Sequence, residues 1–179
     1  MKILIVAALY PPDPGEIAAY TKELAGRLAK SSKVTVLTFA ELPEKISGVE
    51  TRSVAKKSSL NIRIFNFWLA LRQEIQKTDA LYIVNGPSVE LPILGSDLSK
   101  KRTLFFEGDL AANRKVSSSF WLKLIRNRIA KKSKNIESRP ISKPEILPFS
   151  EYPHLAFVDY EDSWQEHIKE IQALLKNVQ

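Results

Sequence analysis

The chain has 179 residues, 44% hydrophobic and 26% charged, the balance of one globular domain with a real core rather than a disordered or fibrous chain. It has no cysteine, which excludes disulfides, thiolate metal sites and cysteine nucleophiles, and two histidines, His154 and His167, are too few for a multi-histidine metal cage. Neither a metal nor a cofactor is therefore expected. A formal charge of +7 and a pI near 9.5 point to anionic partners such as phosphates, nucleic acid or an anionic membrane surface.

In chain order, Lys2 to Leu9 is a continuous apolar run, as expected of a strand covered on both faces. It is too short, and too soon stopped by Pro11-Pro12, to be a signal peptide. No segment reaches the roughly 20 apolar residues that span a bilayer, so a cytoplasmic protein is expected. Ile17, Tyr20, Leu24 and Leu28 then recur at helical spacing up to Ala29. "KVTVLTF" (Lys33 to Phe39) is β-branched and alternating, a second strand, and "GVETRSV" (Gly48 to Val54) predicts a short third one.

Leu60 to Lys77 reads as a helix with Ile64, Phe65, Trp68, Leu71, Arg72 and Ile75 on one side. "DALYIV" (Asp79 to Val84) is a strand ending at Asn85-Gly86-Pro87, and "SVELPILGSDLSK" a short helix with Pro92 in its first turns, where proline costs least. "RTLFFEGD" (Arg102 to Asp109) is a further strand. Ser118 to Lys132 is a basic amphipathic helix. The stretch 137–153, with Pro140, Pro144, Pro148 and Pro153, reads as a linker. "LAFVDY" (Leu155 to Tyr160) is a last strand candidate. A closing helix over 160–177 buries Trp164, Ile168, Ile171, Leu174 and Leu175.

Strands alternating with helices predict a single three-layer α/β domain, Rossmann-like, with a mostly parallel sheet. Ligands in such sheets bind at the carboxyl ends of the strands. The loops that matter are then Tyr10 to Glu16, Asn85 to Ser88 and Gly108 to Arg114. On chemistry alone the first is either a rigid chain reversal or a ligand site, and Asn85-Gly86-Pro87 is a good turn. Glu107 and Asp109 form a pair of acids at a strand end, a pattern suited to acid–base work.

Five segments, "MKILIVAALYPPDPG", "AAYTKELAGRLAK", "KVTVLTF", "DALYIVNGP" and "TLFFEGDLA", resemble in order the N-terminal half of family 4 glycosyltransferases of the two-domain GT-B architecture. The resemblance covers roughly Met1 to Lys134. It implies that the chain is the acceptor side of a cleft, transferring sugar from a nucleotide sugar bound by a second Rossmann domain. That domain is absent from these residues, so a separate donor-binding glycosyltransferase subunit is the expected partner, and the isolated chain is expected to be inactive. By the same resemblance Gly15 and Glu16 take the place of a Gly-Gly turn, where exposed helix amides favour anionic groups. Glu107 stands at a position often held by histidine, followed by Gly108 and Asp109. Trp164 to Asn177 would be the family's final helix, which crosses back onto the N-terminal domain.

The expected site is thus Glu107 or Asp109 as base toward an acceptor hydroxyl, with Gly15, Glu16, Asn85, Gly86, Gly108 and Arg114 binding substrate, Arg114 holding an acceptor phosphate. The alternative is a non-catalytic relic that binds a glycan, a lipid phosphate or a protein partner. Between Arg114 and Lys134 eight cations occur without one acid. Interleaved with Phe120, Trp121, Leu122 and Ile125, they predict contact with an anionic membrane surface or lipid-linked acceptor through Trp121, Lys123, Arg126 and Lys131. Such contact would make the protein peripheral on the inner face of the membrane. Nucleic acid is not expected, since no recognition motif accompanies the charge.

Overall fold

The computed structural model describes residues 1–84, 87–98, 101–106, 136–137 and 156–176, together with Leu124, Asn127 and Arg128. Among the described residues these elements follow in order: β1 (Lys2–Ala7), α1 (Glu16–Ala29), β2 (Lys33–Phe39), β3 (Val49–Val54), α2 (Leu60–Lys77), β4 (Ala80–Val84), α3 (Pro87–Leu94), β5 (Arg102–Phe106), β6 (Ile136–Glu137) and α4 (Ala156–Lys176). The strands form one sheet in the order β3-β2-β1-β4-β5-β6, and every pairing is parallel. This is the doubly wound α/β order, which reverses direction between β1 and β4.

Alternation along β1 divides the core into two layers. Ile3, Ile5 and Ala7 pack with Tyr20, Leu24 and Leu28 of α1 and Trp164, Ile171 and Leu175 of α4. Leu4 and Val6 face the other way, with Phe67, Leu71 and Ile75 of α2 and Val89 and Ile93 of α3. β1 beyond Lys2 and all of β4 are buried residue by residue, as strands covered on both faces must be. Edge strand β3 alternates instead and carries Glu50 and Arg52 on its exposed positions, charges that discourage edge pairing.

Three expectations are corrected. Residues 156–160 are not a strand but the first turns of α4. Tyr160 sits one turn before Trp164, with ring centroids 6.4 Å apart, so the apolar pattern continues at helical spacing. The inward face of α2 is Phe67, Leu71, Glu74 and Ile75, while Phe65 is 56% exposed. α3 begins at Pro87 and stops at Leu94, turned off by the Gly95 and Ser96 amides donating to the Pro92 and Ile93 carbonyls.

Candidate functional site

Because the sheet is parallel, the carboxyl ends of all its strands lie along one edge, with the crevice of the topological switch between β1 and β4. The β1–α1 loop opens there. Its Pro11–Pro12 bond is cis, and the Asp13 amide donates to the Tyr10 carbonyl at 3.0 Å. The Asp13 carboxylate is paired with the Lys56 ammonium, from the turn after β3. The Glu44 amide, between β2 and β3, donates to the Pro11 carbonyl at 2.9 Å. Glu44 also pairs with Lys22 of α1 at 2.5 Å. Glu41 accepts from the Lys56 and Lys57 amides at 2.8 and 3.0 Å. Three connections that are far apart in sequence thus fix one another, and the loop is a held surface.

Tyr10 is the loop's anchor and is fully buried. Burial raises its phenol above the ordinary value; the Thr51 hydroxyl opposes that shift and the Glu44 carboxylate adds to it. Tyr10 therefore stays neutral and packs rather than ionises.

Gly15 closes the loop at φ +117° and ψ 163°, a combination essentially restricted to glycine. A Cβ there would meet nothing within 4 Å. The requirement for glycine is therefore conformational, about 1–3 kcal/mol of backbone strain for any other residue, and not a matter of room. Gly15 is the N-cap of α1, where no side chain caps the helix. An uncapped helix start leaves amide donors and the positive dipole end free for an anionic group. Glu16 is the first helical residue, and an acid is the expected occupant of a first turn.

Of the expected site residues, Gly15 and the backbone of Glu16 are the ones described. Asn85 and Gly86 follow β4; Glu107, Gly108 and Asp109 follow β5; all five lie outside the described residues. So do Arg114 and the expected membrane contacts Trp121, Lys123, Arg126 and Lys131. β4 and β5 pair in register up to Val84 and Phe106, so the strands that lead into the two sets of residues end side by side.

Two features escape sequence reasoning. The Asp13–Lys56 pair spans 43 positions and leaves no local signal. Glu90, fully buried on α3 just past the end of β4, does leave one: it is the single charge in the otherwise apolar run "PSVELPIL". Among the described residues, no three metal-ligating side chains are gathered, and no helix is long and apolar enough to cross a membrane. No protein-family model matches the chain, and no curated protein matches it significantly.

Proposed function

We propose that the chain is the acceptor-side half of a family 4-like glycosyltransferase of the GT-B architecture. It would act in sugar transfer from a nucleotide sugar together with a donor-binding half outside these 179 residues. The observation that carries the reading is the glycine-turned, uncapped start of α1 beside the β1/β4 switch point, where a ligand of a doubly wound sheet binds. The five ordered segments of resemblance support it, as does the way α4 returns across the sheet to pack on α1. In this reading Glu107 or Asp109 serves as base toward the acceptor hydroxyl and Arg114 anchors its phosphate. The basic stretch 118–132 brings the protein to a lipid-linked acceptor on the inner face of the membrane.

Glu16 favours the second reading, a non-catalytic domain that binds a glycan, lipid phosphate or protein. By the resemblance it takes the place of a second glycine, and an acid at the first helical position disfavours a diphosphate there. The two readings separate on co-expression with a donor-binding half, followed by a donor-hydrolysis and transfer assay. Turnover that falls on Glu107→Gln or Asp109→Asn supports the enzyme; absence of turnover with every donor half tried overturns it. Nucleotide-sugar affinity gained by Glu16→Gly would mark the loop as part of the substrate surface, and unchanged affinity would make it a turn only.

A further inference from the structure

Buried hydroxyls in this molecule normally find a partner inside it. Thr21, Thr78 and Ser96 each donate to the carbonyl four residues back, at 2.7, 3.1 and 3.2 Å. Tyr10 Oη, Thr38 Oγ1 and Thr51 Oγ1 are also shut off from solvent, yet among the described residues they have no hydrogen-bond partner. Two other such atoms, Thr103 Oγ1 and Trp164 Nε1, lie elsewhere, on β5 and α4. An orphaned buried hydroxyl is costly, and native structures satisfy nearly all of them with protein or with an ordered water.

The three are neighbours. β2 and β3 pair with Val36 opposite Thr51 and Thr38 opposite Ser53, so Thr38 and Thr51 are diagonal neighbours across the two strands. Two residues on from Val36 and Val49, they share the α1 face of the sheet with them. Tyr10 packs into the same layer as Val34 and Val36. Its phenol lies close enough to Thr51 for that hydroxyl to oppose the rise of its pKa, although the two complete no hydrogen bond. Three oxygens without a partner thus come together on the α1 face of β2 and β3, beneath the β1–α1 loop.

The surroundings define the guest. Thr38 is flanked in the sheet by Ala7 of β1 and Ser53 of β3, two small side chains that leave room beside it. The carboxylate that acts on Tyr10, Glu44, is already paired with Lys22, so the site calls for a neutral group. Each of the three hydroxyls can donate or accept, and one guest that does both can serve all of them. With Tyr10 and Thr38 fully buried, the guest that fits is the smallest of that kind, water.

We propose that Tyr10 Oη, Thr38 Oγ1 and Thr51 Oγ1 together hold one buried water molecule, which ties the β1–α1 loop to the edge of the sheet. The water completes from below the anchorage that the Asp13–Lys56 pair and the Glu44 amide give the loop. It is independent of the glycosyltransferase reading, since it fixes a loop that binds substrate and a loop that only turns alike.

Urea unfolding of the full chain and its isosteric variants tests it through the sign of the change. If the site is dry, Thr38→Val removes an orphaned hydroxyl and stabilises the fold. If a shared water is bound, Tyr10→Phe and Thr38→Val are each expected to lower the folding equilibrium constant about tenfold. The double variant is then expected to lose less than the product of the two, because the second change acts on a site that has already lost its water. Oxygen-17 relaxation of the solvent, which reports water held inside a protein, should show a smaller long-lived component in the double variant than in the wild type. A Thr38→Val chain as stable as the wild type, or more so, overturns the proposal. So do losses that simply multiply in the double variant, and an oxygen-17 signal that is the same in both chains.

Discussion

The two faces of the sheet are built on different chemistry. On the α2–α3 side the core is mainly apolar, with the Phe39 and Phe67 rings 4.3 Å apart and aliphatic side chains around them, and Glu74 and Glu90 buried beside it. On the α1–α4 side a polar network runs through the middle of the apolar layer. The Tyr20 hydroxyl lies 2.6 Å from the Tyr82 hydroxyl and 2.7 Å from His167 Nε2. Its oxygen is the centre of the relay, hydrogen-bonded to both neighbours. Trp164 stacks on Tyr20 with centroids 5.6 Å apart.

At the rim Arg27 grips Glu161 through both guanidinium amines, at 2.9 and 2.5 Å, and lies over Trp164 at 5.2 Å. Arg102 donates to the Leu174 carbonyl and Gln172 to the Ser31 hydroxyl at 2.8 Å. The difference teaches what each face must solve. Apolar packing tolerates sliding, whereas directional bonds fix one position. α4 comes from the far end of the chain, and the directional bonds set where it docks.

The sharpest way to break that contrast is to empty each core in turn. Trp164→Ala and Phe67→Ala should each cost about 3–5 kcal/mol in urea unfolding. Only Trp164→Ala should release α4 first, seen as fast hydrogen exchange over 160–176 ahead of global unfolding. Equal loss of protection in both variants would show that α4 is no separate unit.

Tyr20→Phe is next, at about 1–3 kcal/mol, because it strips a buried partner from Tyr82 and His167. Burial, together with the neighbouring hydroxyl, holds the Tyr20 phenol well above its ordinary value of 10.0, and burial raises that of Tyr82 in the same direction. Their contribution is thus complete below pH 10 and lost as pH rises past it. The variant should show a shallower alkaline loss of stability than the wild type.

The smallest effect belongs to Glu161→Gln, within about 1 kcal/mol at neutral pH because the pair is partly in water. The Arg27 guanidinium holds the Glu161 carboxyl below its ordinary 4.5. That stabilisation is complete above pH 4.5 and disappears as pH falls through the folded-state value. An acid-melting curve of the variant that matches the wild type at neutral pH and low pH alike would remove Glu161 from the docking set.

The fold was legible because periodicity is local. The apolar runs of β1, β2 and β4 and the spacing Ile17, Tyr20, Leu24, Leu28 need no distant partner to be read, and they imply the parallel sheet. The α2 face was misread because Phe65 and Phe67 are equally apolar, and only contact with Phe39 decides which turns inward. Residues 155–160 read as a strand because Phe157 and Val158 favour either state; over 156–160 the helix wins, setting Tyr160 edge-on to Trp164. Of the candidate site, Gly15 was readable from its place between a strand and a helix. The Asp13–Lys56 tie was not.

By itself the sequence determined the alternation of strands and helices, the net positive charge and the glycine at the head of α1, since each follows from composition or nearest-neighbour spacing. Only the tertiary structure decided that Tyr20, Tyr82 and His167 share one relay, and that Asp13 and Lys56 lock a loop. It also decided that Phe67 of α2 turns inward and Phe65 outward. Those facts depend on which distant segments meet, and that is set by the sheet order and by the two cores that close over it.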